Sequence, residues 1–415
     1  MRMPTARALP EPSPLFSRWG LDPKVCFLNH GSYGACPRDV LEVQTEWRRG
    51  MESEPVRFFV ERLTPALDAA RADLATLVGC EPSDLVFVPN ATTGVAVALM
   101  NLRIEPGDEV LVNTHEYLAC QNNADAIARS RGATVVRTDL PFPIRSAQEV
   151  VDAILSRVTS KTRVCLISHI TSPTALILPV DRLVGELQSR GIDVVVDGAH
   201  APGMIEVDIG SLDPVCYTAN CHKWLCAPKG AAFLYVRRDR QEGFRPMVLS
   251  NDAVLGRPGR SQFQVDFDYI GTNDYTAALC VPAALRTLQS MVQGGWDAIR
   301  THNRNLALAG RDLVCDRLGV ERPAPDDMLG AIATIVLPAH EPGLHERLAR
   351  RETRNHDALQ DALMDRHAIE VPVWSVAGRD QRLVRISAQL YNSIEQYAYL
   401  ADALAEELER ERSEV

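Results

Sequence analysis

The chain has no apolar run long enough to cross a bilayer, so a membrane-spanning role is not expected. It also lacks an excess of basic charge: 44 Lys and Arg stand against 54 Asp and Glu, for a net charge of −10. A nucleic-acid-binding surface is therefore disfavoured. Among its ten cysteines there is no Cys-x-x-Cys pair, which argues against a zinc ribbon or a dithiol redox motif. Neither a glycine-rich P-loop nor a Gly-x-Gly-x-x-Gly occurs, so NAD or ATP binding lacks its usual support. Internal repeats and low-complexity tracts are missing as well. Residues 1–14 hold several prolines and no apolar centre; they are unlike a secretory signal and read as a loosely held arm. Scattered thiols without such a signal point to reduced cysteines in the cytoplasm.

What is present is an alternation of short apolar runs with helical patterns. Strands are expected at 85–88, 109–112, 134–137, 164–168, 194–197, 215–218 and 232–236, with amphipathic stretches such as 118–131 and 150–158 between them. Such alternation predicts an α/β fold with a mostly parallel seven-stranded sheet covered on both faces. Ser146 to Glu149 has the capping-box form at the head of one helix. Residues 242–267, rich in Gly, Pro and Arg, read as an irregular loop. Helical patterns at 275–291 and 296–318 then lead to apolar runs at 331–337, 370–374 and 383–387. A closing helix at 393–410 is capped by Ser393 to Gln396. The organisation expected is an N-terminal arm and site-bordering segment (1–45), a large domain (46–290) and a small α/β domain (291–415).

In sheets of this kind, sites gather at the carboxyl ends of strands. Asp197 closes Val194-Val195-Val196, and Lys223 lies 26 residues on, in Asn220-Cys221-His222-Lys223-Trp224. A lysine and a carboxylate at neighbouring strand ends can grip the two ends of pyridoxal 5'-phosphate (PLP). The amine holds the aldehyde as a Schiff base, and the acid keeps the ring nitrogen protonated. Asp197 read alone is a strand-end cap, and a lysine beside a tryptophan is more often a surface charge. Cys221 and Cys226, which flank the lysine, read as small buried apolar residues. The run Asn90-Ala91-Thr92-Thr93-Gly94 passes from a strand into a helix, whose N–H groups suit either an anion or a plain cap. Either His115 or Tyr117 could stack on a flat ring, and Tyr117 is preferred. His169 and His200 also fall at strand ends, but no histidine pair shows a close metal-ligand spacing, so no metal is expected. Arg385 stands inside the apolar run Leu383 to Ser387; its fork suits a substrate carboxylate or an internal salt bridge equally well.

Three segments together resemble the class V aminotransferase superfamily, PLP fold type I: Val196-Asp197-Gly198-Ala199-His200-Ala201-Pro202-Gly203; His222-Lys223-Trp224-Leu225-Cys226-Ala227-Pro228; and Arg385-Ile386-Ser387 with Tyr391-Asn392. Phe27 to Gly34 and Glu54 to Phe58 are similar to the isopenicillin N epimerase-like branch. The resemblance implies a homodimer with shared active sites. It makes Lys223 the Schiff-base lysine and Asp197 the ring-nitrogen partner, with His200 joining them in catalysis. Ala91, Thr92, Asn220 and His222 become phosphate-end contacts, to which the Thr93 hydroxyl at the helix start can add a donor, and Ser172 lies near the cofactor's phenolic oxygen. Thr272, after Gly271, reaches the partner's phosphate. Arg385 becomes the substrate-carboxylate arginine, and Asn29, His30 and Tyr33 border an amino-acid substrate. No cysteine lies between Arg366 and Val384, where cysteine desulfurases carry their nucleophile.

The activity implied is quinonoid chemistry at the α-carbon of an amino acid or amino-acid-containing intermediate, leading to epimerisation or C–S β-elimination, in the setting of antibiotic and other secondary metabolism. Transamination and decarboxylation-coupled oxidative deamination stand as alternatives. A non-catalytic PLP-binding regulatory protein is an alternative of another class.

Overall fold

The computed structural model describes residues 8–339, 344, 348, 351–355, 357–375 and 381–413. Among these residues twelve strands appear in chain order: β1 (Cys26–Phe27), β2 (Leu85–Val88), β3 (Glu109–Asn113), β4 (Thr134–Thr138), β5 (Thr162–Ser168), β6 (Asp193–Asp197), β7 (Cys216–Asn220), β8 (Ala232–Val236), β9 (Ile332–Val336), β10 (Ile369–Glu370), β11 (Val373–Ser375) and β12 (Arg382–Ser387). Seven of them form one sheet in the order β2-β8-β7-β6-β5-β3-β4. All its pairings are parallel except those of β8, which runs antiparallel to β2 and β7.

The middle residues of β5 and β6, Val164 to Ile167 and Val194 to Val196, are apolar without a break because both sheet faces are covered. Val194 and Val196 pack into one core and Val195 into another across the sheet; Cys165 and Ile167 divide from Val164 and Leu166 in the same way. This is the period of two expected of a strand. The register sets Ser168 beside Asp197 and Asp197 beside Thr218, so three polar residues share one carboxyl edge. The helix Ala91–Asn101 presses its Gly94 onto β7. A Cβ there would stand 2.0 Å from Thr218 Oγ1, so only glycine lets the helix start beside those strand ends.

A second, antiparallel sheet runs β11-β12-β9, and β1 pairs in parallel with β10. The N-terminal segment is thereby sewn to the C-terminal part of the chain. The described part of the arm is also docked: the Ser13 N–H donates to the Tyr391 carbonyl at 3.1 Å, and Ser393 Oγ donates to the Glu11 carbonyl at 2.7 Å.

Four local expectations need correction. The arm is not loose from residue 8 onward, for the reason just given. Residues 242–267 hold two short helices, Asp252–Leu255 and Gln262–Asp268, the second capped by the Ser261 hydroxyl. The run at 370–374 is two strands rather than one, because Pro372 has no N–H to continue a ladder. The capping box at Ser146 does not close: its side chain caps nothing, and only its carbonyl receives the Glu149 N–H. At the last helix, Ile394–Ser413, half of a box forms, with Gln396 Oε1 accepting from the Ser393 N–H at 3.2 Å. No helix among the described residues is long and apolar enough to cross a membrane.

Candidate active site

Asp197 ends β6, and Lys223 follows β7 by three residues, so both open at the same sheet edge. Asp197 is buried. Its Oδ1 accepts the Ala199 N–H at 2.9 Å, and the Cys120 thiol donates to Oδ2 at 3.2 Å. It makes no salt bridge among the described residues, and burial pushes its pKa up. Lys223 Nζ lies 3.0 Å from His200 Nε2. Burial first, then the Arg385 charge, brings its pKa down to about 7. The uncharged amine, the form a nucleophile requires, is therefore accessible near neutrality.

The helix Ala91–Asn101 supplies the anion end. Asn90 Oδ1 accepts the Thr93 N–H at 2.8 Å and the Thr93 hydroxyl at 3.0 Å, while Asn220 Oδ1 accepts the Ala91 N–H at 2.9 Å. Asn220 keeps its amide donors for another acceptor. Thr93 is committed to the cap and does not line the cavity, unlike Ala91 and Thr92. His222 Nδ1 lies 3.0 Å from the Ala231 carbonyl and must donate to it. Burial lowers the His222 pKa to about 4, so the neutral ring has no second N–H to offer. An arriving phosphate would favour its protonation and so create that donor.

Arg385, on β12, is the third charged group. Its Nη1 donates to the Ser172 carbonyl at 2.6 Å and to Ser172 Oγ at 3.0 Å, and its Nη2 to Ser32 Oγ at 3.1 Å. Its Nε is buried without a partner. Burial lowers its pKa to about 10, and Trp374 lies 5.8 Å from its Cζ. The other buried arginines all meet acids: Arg71 pairs with Asp268, Arg311 with Asp326, and Arg382 with Asp357 and Glu411. The internal salt bridge that the sequence left open for Arg385 is absent among the described residues. A buried guanidinium with no acid is a receptor for one.

A cavity of about 400 Å³ brings together Tyr33, Ala91, Thr92, Tyr117, Ser172, Asp197, His200, Asn220, His222 and Lys223. It shares Ser32, Tyr33, Tyr117, Ser172 and Lys223 with a neighbouring cavity of about 650 Å³ that Arg385, Phe142 and Trp374 also line. Tyr117 is half-exposed over the first cavity. His115 is tied by Nδ1 to Thr174 Oγ1 at 2.9 Å and borders only the second. His169 bonds the Tyr217 hydroxyl at 2.9 Å, as a scaffold residue.

Several expected residues fall elsewhere. His30 is fully buried behind Lys223: its Nδ1 meets the Tyr391 hydroxyl at 2.9 Å and its Nε2 the Lys223 carbonyl at 3.0 Å, so it holds the lysine's backbone rather than bordering a substrate. Asn29 likewise sits behind the wall. Its Oδ1 accepts from Ser32 Oγ at 2.6 Å and so steadies the hydroxyl that meets Arg385. Thr272, expected at the partner's phosphate rather than in this chain's cavity, bonds the Tyr269 hydroxyl in an exposed segment. Sequence reasoning missed Glu116, which is buried on the Ser168 N–H at 2.8 Å and also bonded to Ser168 Oγ and Asn113. Burial raises its pKa to about 8, so it is mostly the neutral acid at pH 7. Its place directly before Tyr117 at a strand end was the available signal.

The donor set fits PLP. There is an amine of lowered pKa for the aldehyde, a buried acid lacking a cation for the ring nitrogen, a helix N-terminus for the phosphate, and the Tyr117 ring beside them. The fold and the site together define a PLP-dependent enzyme of fold type I, with pyridoxal 5'-phosphate as its cofactor. The family model for class-V aminotransferases matches residues 34–400, and the chain belongs to that family. It is 32% identical over 400 residues to an isopenicillin N epimerase of Amycolatopsis lactamdurans, covering 93% of this chain and 96% of that one. It is 30% identical over 407 residues to a probable chloroplastic L-cysteine desulfhydrase of Arabidopsis thaliana, covering 92% and 83%. Among solved structures, a C-DES mutant with glycine covalently linked to its PLP cofactor superposes with a TM-score of 0.74 at 20% identity, covering 92% of this chain and 96% of that one; this likeness shows the fold.

Proposed function

We propose that the protein acts at the α-carbon of an α-amino acid, with Arg385 holding the carboxylate, Lys223 moving the α-proton, and loss of a sulfur substituent from the β-carbon as the outcome. The observation that carries the reading is the buried Arg385, whose charge meets no acid among the described residues. Bound PLP supplies the electron sink for the pair left at the α-carbon. Lys223, with its pKa near 7, is matched to accept and return a proton near neutral pH. One amine serving one side suffices for elimination. The cavity of about 650 Å³ beside the clamp is far larger than a thiomethyl group needs, which favours S-substituted cysteines over cysteine itself. The absence of any cysteine between Arg366 and Val384 speaks against a persulfide relay from that segment.

Epimerisation is the second reading. It needs a proton carrier on the far side of the α-carbon, and Tyr33 and Tyr117 line the same cavity. For assembly we propose a homodimer: Val254, Leu255, Val248 and Tyr33 are exposed apolar surface that a second copy would cover, and Thr272 would reach the partner's phosphate end. Ten free thiols support a reducing, cytoplasmic setting.

The test is incubation of the holoenzyme with S-substituted cysteines and ordinary L-amino acids in deuterated water. Elimination yields thiol, ammonia and pyruvate in equal amounts, whereas epimerisation yields the D-epimer with one α-deuterium. Failure to turn over any carboxylate-bearing amine would end the reading.

A further inference from the structure

Trp224 follows the lysine directly. It is buried, with its ring centroid 4.9 Å from that of His30. Its indole Nε1–H donates to Nδ1 of His200 at 3.3 Å, and on the other side of that imidazole Nε2 lies 3.0 Å from Lys223 Nζ. An indole nitrogen only donates, so Nδ1 must be the bare nitrogen of His200. A neutral imidazole with bare Nδ1 carries its hydrogen on Nε2. That hydrogen faces Nζ, which must then offer a lone pair, and an ammonium has none. Protonating Nζ would demand the opposite tautomer and set the indole N–H against an imidazole N–H, leaving a buried donor unpaired.

We propose that Trp224 is a positioning residue: it fixes the Nε2–H tautomer of His200 and thereby holds the Lys223 nitrogen in its uncharged state. The proposal rests on the reading of Lys223 as the amine that carries PLP. The other groups acting on Lys223 are Arg385, which disfavours its charge, and Asp197 and Cys120, which favour it; those acting on His200 are Lys223, Arg385 and His30, all disfavouring a second proton. Burial keeps His200 well below the usual imidazole range, so the imidazolium does not compete. Asp197 alone would draw a proton onto the lysine. The indole's fixed donor opposes it through the ring of His200.

The experiment follows the pH dependence of reductive methylation at Lys223, read by peptide mass mapping, in the full-length chain stripped of cofactor. Trp224→Phe keeps the packing and removes the donor. His200 can then change tautomer and accept from an ammonium, so the Lys223 profile should move to higher pH by about one unit. In a His200→Ala background the same substitution should move nothing further. An unmoved profile, or an equal shift in both backgrounds, would overturn the proposal. Should Trp224→Phe fail to fold, the ¹⁵N shifts of His200 in the wild-type chain, assigned by their loss in His200→Ala, decide alone. Protonated Nε2 with bare Nδ1 is the expected result, and the other tautomer or an imidazolium overturns it. Borohydride reduction of the holoenzyme separates the two readings: a cofactor link at another lysine ends the functional assignment and leaves the tautomer result standing.

Discussion

Replacing Arg385 with methionine should cost the enzyme its turnover and spare its stability. Arg385 is 4% exposed and meets no acid among the described residues, whereas Arg382, also 4% exposed and three residues earlier on the same strand, meets both Asp357 and Glu411. An odd spacing puts the two on opposite faces of β12, one toward the cavity and one toward the last helix. Desolvating a guanidinium without an ion pair costs several kcal/mol. Against that stand three hydrogen bonds, to the Ser172 carbonyl, the Ser172 hydroxyl and the Ser32 hydroxyl. Each is worth about 1.5–3 kcal/mol from a charged donor. These contributions nearly cancel, and methionine adds apolar burial beside Trp374 worth about 1.5–3 kcal/mol. The denaturant midpoint of Arg385→Met should therefore equal or exceed that of wild type. Arg382→Met strands two buried carboxylates and should lose about 3–5 kcal/mol. Activity should rank the other way. Losing the carboxylate clamp costs about 3 kcal/mol, roughly a hundredfold in kcat/KM, while folded Arg382→Met enzyme keeps its rate. The assays are denaturant unfolding of both holoenzymes and kinetics with a substrate and its decarboxylated amine. If Arg385→Met unfolds as early as Arg382→Met, or loses the same factor on the amine as on the amino acid, the arginine is structural and the reasoning fails.

Three other outcomes are expected. Lys223→Ala should lose the holoenzyme's visible band and its borohydride-reducible link; a reducible link retained on another lysine refutes the assignment. Glu116, at about 8 in the folded chain against an ordinary 4.5, contributes stability that is full below about 4.5 and lost as pH rises through about 8. Glu116→Gln mimics the neutral acid at every pH, so the variant should gain on wild type across that window and be the more stable at pH 8; parallel stability curves would show that the carboxyl ionises normally. Gly34 has φ +68°, and a Cβ there would meet the His222 carbonyl oxygen at 2.0 Å. Gly34→Ala should therefore displace the lysine's loop and release PLP on dialysis, and full cofactor retention would contradict that.

The large sheet was legible because its strands are buried on both faces and need unbroken apolar runs; each of the seven expected runs overlaps an observed strand. Asp197, Lys223 and Arg385 stood out for a related reason: charge inside or at the end of such a run is costly and calls for an explanation. What escaped was whatever depends on contacts across long sequence separations. The His30 imidazole and the Lys223 carbonyl lie 193 residues apart, and no local pattern says that the ring faces inward. Glu116 was hidden by the same distance, 52 residues from the Ser168 that satisfies it. The Ser146 box failed because its local signal could not ensure that the side chain would take the cap. Pro372 could have divided the run at 370–374 from sequence alone, since its missing N–H was visible in the letters.

Lys223, Asp197 and Arg385 share one pocket system, yet none makes an ion pair among the described residues. Burial works against the charge of each: it lowers the lysine and the arginine and raises the aspartate. A scaffold selected for stability alone would bring such groups into contact, as it does for Arg71, Arg311 and Arg382. Held apart, they match a ligand with three complementary features: a carbonyl carbon for the amine, a basic ring nitrogen for the acid, and a carboxylate for the guanidinium. PLP supplies the first two, and in the proposed reading an amino acid supplies the third. The burial cost that the protein leaves uncompensated at each group is therefore offset by cofactor and substrate, and each contact relieves only its own share of it.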